Sequence, residues 1–118
     1  MRWLVCGGRD FLDRNFIFRQ LSKLALERGK PDLLISGDAA GVDKIAASWA
    51  TSVDVQVSRF PADWKTYGLS AGSIRNHQML DEGKPDLVIA FPGGRGTAHM
   101  IAIAGNAKVP TVIFTYGE

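Results

Sequence analysis

Three short runs of this sequence combine residue types able to hold an anion: Gly7-Gly8-Arg9-Asp10, Gly37-Asp38-Ala39-Ala40-Gly41 and Pro92-Gly93-Gly94-Arg95-Gly96-Thr97. Glycine brings the backbone close to a ligand and reaches positive φ. Where a helix starts next, its free N–H groups and its dipole favour negative charge. Arg9 and Arg95 add planar cations that fork onto phosphate or carboxylate, and Thr97 offers a helix cap or a hydroxyl donor. The chemistry this predicts is phosphate binding at Gly7, Gly8, Arg9, Gly93, Gly94, Arg95, Gly96 and Thr97, with Gly37 in the middle loop. A glycine after a strand is more often a plain tight turn; three such loops, two carrying an arginine, outweigh that reading. Asp43 reads first as a stabiliser of its helix start and second as a partner for a sugar hydroxyl. Arg75 and Asn76 offer donors near another helix start, against the plainer reading of a solvated face.

Other polar and aromatic residues read more quietly. His77 and His99 stand isolated, and no Cys, His or carboxylate cluster has metal-ligand spacing, so no metal and no cofactor is expected. Cys6 reads as a small buried hydrophobe. Trp3, Trp49 and Trp64 read as core or loop anchors, with Trp64 the best candidate for stacking on a base.

These loops need elements to position them. Apolar runs of strand length alternate with helix-like segments, the pattern of an α/β domain with a parallel sheet covered on both faces. Strands are expected at Arg2–Cys6, Leu33–Ser36, Val53–Val57, Leu87–Phe91 and Thr111–Phe114, the third at an edge and the fourth central. Helices are expected from Asp13 to Arg28, Val42 to Ala50, Ala71 to Glu82 and Thr97 to Ala107, with Ile74 and Leu80 of the third facing the core. Residues 60–72 show no periodicity and read as a loop. Gly29-Lys30-Pro31-Asp32-Leu33 and Gly83-Lys84-Pro85-Asp86-Leu87 share one pattern, which reads as a common solution for stopping a helix before a strand.

The 118 residues fit one domain, 1–118, with 46% hydrophobic and 22% charged residues. A single cysteine fits a reducing, cytoplasmic setting, and no apolar stretch approaches membrane-spanning length. A net charge of +2 is too mild to argue for nucleic acid by itself.

Gly7-Gly8-Arg9-Asp10-Phe11, Gly41-Val42-Asp43-x-x-Ala46, Pro61-Ala62-Asp63-Trp64, Ala71-Gly72-x-x-Arg75-Asn76-x-x-Met79 and Pro92-Gly93-Gly94-x-Gly96-Thr97 occur in that order. Together they resemble the YspA/YpsA-related branch of the SLOG superfamily, whose wider membership includes Smf/DprA and Lonely Guy proteins. The resemblance implies a Rossmann-like, three-layer domain with a parallel sheet of about five strands in order 3-2-1-4-5. That order places the switch point between the first and fourth strands, so the Gly7 and Gly93 loops face one crevice. It also implies a nucleotide or nucleotide-derived ligand, such as a nucleoside phosphate, ADP-ribose or a signalling nucleotide, bound as a sensor would bind it.

Lonely Guy enzymes hydrolyse the N-glycosidic bond of nucleoside 5′-monophosphates and carry Pro-Gly-Gly-x-Gly-Thr-x-x-Glu with an upstream arginine. Arg75 matches that arginine, but Met100 stands at the glutamate position, and a thioether cannot do a carboxylate's work. An acid would have to come from Asp10 or Asp38. Ser36-Gly37-Asp38-Ala39-Ala40-Gly41-Val42-Asp43 resembles a Smf/DprA motif and implies single-stranded nucleic-acid binding, ranked below a small nucleotide. The apolar helix around Met100 to Ala104 reads either as the face of a homo-oligomer or as a cover for the sheet.

Overall fold

The computed structural model describes residues 1–116. It holds a parallel sheet of five strands, β1 (Arg2–Cys6), β2 (Leu33–Ser36), β3 (Gln56–Arg59), β4 (Leu87–Ala90) and β5 (Thr111–Ile113), in the order β3-β2-β1-β4-β5. The helices are α1 (Arg14–Arg28), α2 (Val42–Ser52), α3 (Trp64–Tyr67), α4 (Ala71–Asp81) and α5 (Arg95–Asn106), with a 3₁₀ turn over Gly68–Ser70. This is the α/β Rossmann-like arrangement. No helix among the described residues is long and apolar enough to cross a membrane.

β1 is the central strand, and both of its faces are covered. Trp3 and Val5 join Phe16, Ile17 and Leu21 of α1 and Trp49 of α2 in one apolar cluster. Leu4 and Cys6 join Met79 of α4 and Met100 and Ala104 of α5 in the other. Trp3 and Trp49 stack with ring centroids 5.9 Å apart, so two of the three tryptophans are core. The two Pro-Asp turns have one task each at the start of β1: Asp32 N–H donates to the Met1 carbonyl and Asp86 N–H to that of Arg2, both at 2.8 Å. The Arg2 N–H returns a bond to the Asp86 carboxylate at 2.7 Å.

Several expectations are corrected. β3 lies later than Val53–Val57, because α2 runs on to Ser52 and Val53 closes it; it is an edge strand as expected. β4 is interior but flanks the central strand rather than being it. Residues 64–70 are not loop: the Asp63 carboxylate accepts the Thr66 N–H at 3.0 Å and caps α3. On α4 the buried residues are Ala71, Asn76 and Met79; half-buried Leu80 packs on the core as expected, whereas half-buried Ile74 belongs to neither apolar cluster. Met100 and Ala104 are buried against the sheet, so that face of α5 covers β4.

Candidate functional site

Because every strand is parallel, the loops after β1, β2 and β4 emerge at one edge of the sheet. β1 and β4 are neighbours whose chains leave in opposite directions, to α1 and α5, and the gap between their loops is a cleft of about 660 Å³. Its floor is closed by backbone packing. Gly8 N–H donates to the Pro92 carbonyl at 2.8 Å. A Cβ on Gly93 would overlap the Thr97 hydroxyl and stand 2.7 Å from Gly8 N. On the other side Gly41, at φ +75°, begins α2 so close to Gly8 and Arg9 that a side chain there has no room. Its neighbour Val42 donates its N–H to the Gly8 carbonyl at 3.2 Å. The β1 loop is thus held between the starts of α2 and α5.

α5 begins at Arg95 with Gly94 as its cap, and no side chain bonds its first N–H groups. This corrects the reading of Thr97 as the cap: Thr97 is the third helical residue, buried, with its hydroxyl beside Gly93. The uncapped turn, with Gly93, Gly94, Arg95, Gly96 and Thr97, forms one wall of the cleft. Gly7, Gly8, Arg9 and Asp10 form another, and Asp43, Arg75 and Asn76 the third. Gly37 does not line it; it lies behind, flanked by Arg75 and Asp43, where a Cβ would sit 2.6 Å from Arg75 Nη1 and 2.9 Å from Asp43 Oδ2.

Asp43 is only 6% exposed. Its Oδ2 accepts the Ala39 N–H at 3.1 Å, and no hydrogen bond among the described residues reaches Oδ1. Burial pushes its carboxyl up to about 6, against the Ala39 bond and the Arg75 charge, which favour ionisation. Asp38 lies outside the cleft. Its carboxylate pairs with Lys44 at 2.7 Å and Arg59 at 3.3 Å, and the Lys44 bond holds its pKa below the usual range. That removes Asp38 from the candidate acids. Asp10 lines the cleft as an exposed side chain.

Arg75 donates Nη1 to the Gly37 carbonyl and Nε to Asn76 Oδ1, the latter at 3.1 Å. A guanidinium has five N–H donors, so three remain for the cleft that Arg75 lines. Asn76 lines the cleft as expected and also has a structural task. Its Nδ2 donates to the Gly96 carbonyl at 3.1 Å and sits 3.0 Å from His99 Nδ1. With Oδ1 accepting from Arg75 and both Nδ2 hydrogens engaged, the amide ties α4 to the glycine turn and keeps one acceptor lone pair on Oδ1. His99 is therefore not isolated, and the His77 ring meets it edge-on at 5.4 Å. Periodicity could not find this cluster; its signal was a buried asparagine on an apolar helix face.

Cys6 and Met79 also line the cleft, both buried. Burial and the nearby Asp43 charge push the Cys6 thiol up to about 12. Trp64 stands at the mouth, 47% exposed, with the Arg9 guanidinium 5.4 Å from its ring centroid. Among the described residues no group of three or more His, Cys, Asp or Glu could hold a metal ion.

A doubly wound sheet with a glycine-walled cleft at its switch point defines a Rossmann-like protein. The chain belongs to the YspA, cpYpsA-related SLOG family, whose model matches residues 1–67. It is 35% identical over 121 residues to the Gene 61 protein of Mycobacterium phage D29, covering 96% of this chain and 95% of that one. The fold is also that of the Moco carrier protein from Chlamydomonas reinhardtii, with a TM-score of 0.62 and 19% identity over 96% of this chain and 75% of the other.

Proposed function

We propose that the chain binds a phosphate-bearing nucleotide or nucleotide-derived ligand in the cleft between β1 and β4, as a binding or sensor protein. The observation that carries this is the meeting of the Gly8 and Gly93 backbones at the uncapped start of α5, with Arg9, Arg75 and Arg95 lining the same cleft. Backbone N–H groups, a helix dipole and forked cations converge there on a volume large enough for more than a phosphate. That a structural neighbour is named as a Moco carrier agrees with holding a small ligand. Thermal-shift titrations with nucleoside monophosphates, ADP-ribose and short oligonucleotides test the reading. A saturable rise in Tm with mononucleotides or ADP-ribose supports it. No shift with any of them, or a shift with oligonucleotides alone, overturns it.

A second reading rests on Asp43. A buried carboxyl in the cleft that ionises near 6 suits a proton donor to a leaving base. In that reading water adds to C1′ of a nucleoside 5′-monophosphate, the N-glycosidic bond breaks, and the base leaves protonated, giving ribose 5-phosphate. Release of adenine from AMP, lost in Asp43→Asn and Arg75→Ala, supports it; tight binding without release in the wild type overturns it.

A further inference from the structure

The third tryptophan has no structural task that the fold explains. Trp3 and Trp49 are buried and stacked on each other, whereas Trp64 is half-exposed at the rim of the cleft. It opens α3, which packs with the following 3₁₀ turn on α4 and contributes no buried residue. The ring edge rests over Gly72, where a Cβ would stand 3.5 Å from Cη2. One face carries the Arg9 guanidinium, a planar cation in a contact that is weak when exposed to water. Arg9 in turn follows Gly8, whose backbone packs on the β4 loop at the floor of the cleft. An aromatic face within one cleft of an anion cradle, covered only by a loosely held planar group, is what a ligand with a flat ring and a phosphate requires.

We propose that Trp64 is the platform on which the ligand's planar heterocycle stacks, and that Arg9 leaves the ring to pair with the ligand's phosphate. The ligand is then a heterocycle-bearing phosphate ester and not a simple sugar phosphate. This rests on reading the glycine-walled cleft as a phosphate site, but its two halves are separable. Arg9 opposes stacking when no phosphate is present and assists binding when one is.

The test titrates adenosine, ribose 5-phosphate and AMP into the wild type, Trp64→Ala, Trp64→Phe and Arg9→Ala, following tryptophan fluorescence and calorimetry. In the wild type, adenosine and AMP quench fluorescence and ribose 5-phosphate does not, and AMP binds about tenfold tighter than ribose 5-phosphate. Trp64→Ala brings AMP down to the level of ribose 5-phosphate, while Trp64→Phe keeps most of the difference and shows that the fold is intact. Arg9→Ala strengthens adenosine and weakens AMP, a reversal that simple loss of a cation does not give. The proposal is overturned if neither adenosine nor AMP quenches, or if Trp64→Ala weakens AMP and ribose 5-phosphate equally. AMP binding no tighter than adenosine, with quenching by both, overturns the phosphate reading and leaves the stacking platform standing.

Discussion

Asn76 Nδ2 lies 3.0 Å from His99 Nδ1, and this contact fixes the state of the imidazole. The same amide nitrogen donates to the Gly96 carbonyl and its oxygen accepts from Arg75, so the amide cannot be reversed without losing both. Nδ1 of His99 must therefore accept, and the ring is neutral with its proton on Nε2.

Burial lowers the His99 pKa below the ordinary histidine value, and the neighbouring His77 charge lowers it further. The unfolded chain thus takes up this proton first as pH falls. The stability from the neutral ring is fully present above about 6.5 and is lost as pH falls through the lowered folded value. Thermal melts from pH 7.5 to 5 are expected to show a steeper loss of Tm in wild type than in His99→Leu. Parallel slopes would show that the contact carries no linkage.

Asp43 has the opposite sign. Its folded pKa of about 6 lies above that of an unfolded aspartate, so its ionisation costs the fold stability as pH rises from about 4 to about 6. Asp43→Asn removes the charge and keeps an acceptor for the Ala39 N–H. It is expected to stabilise the protein by about 1–3 kcal/mol at pH 8 and by little at pH 4, while weakening the ligand. Denaturant unfolding at the two pH values measures this; equal effects at both would show that charge burial is not the cause.

The two adjacent glycines of the β4 loop should separate cleanly. Gly93→Ala drives a methyl group into Thr97 and the Gly8 N–H, whereas the space beside Gly94 is open to beyond 4 Å. Gly93→Ala is expected to cost about 1–3 kcal/mol and to weaken nucleotide binding with it, and Gly94→Ala under about 0.5 kcal/mol. Chemical denaturation of the two variants side by side decides it, and equal losses would contradict the packing described.

Cys6 lines the cleft yet should be inert. With its pKa near 12, roughly one thiol in 10⁴ is ionised at pH 8, against about a quarter of free cysteine. Reaction with Ellman's reagent is expected to be slow in the native protein and fast in guanidinium. Rapid native labelling would mean that the β1 loop opens.

The glycine loops and their common edge were legible in the sequence because each follows a short apolar strand and precedes a helix. The strand order came from the family resemblance that the ordered motifs carry rather than from any one strand. What stayed hidden was side-chain direction at helix starts. Thr97 resembles a cap, but Gly94 begins the helix three residues sooner and turns the hydroxyl toward Gly93. Asn76 and Asp43 are polar residues that the fold buries, and hydropathy assigns such residues outward. α3 is too short to show a period, and its one signal, Asp63 three residues before Thr66, is common in loops.

The paired Pro-Asp turns have a mechanical consequence. β1 is gripped at its start from both sides by Asp32 and Asp86, and its middle is sealed between two apolar layers. Displacement caused by an arriving ligand therefore cannot be taken up by sliding the central strand. It must be absorbed where restraint is least, in the stretch from Trp64 to Ser70 that buries none of its residues. Amide exchange should accordingly run slowest through β1 and fastest through that stretch, with ligand slowing the second and leaving the first unchanged.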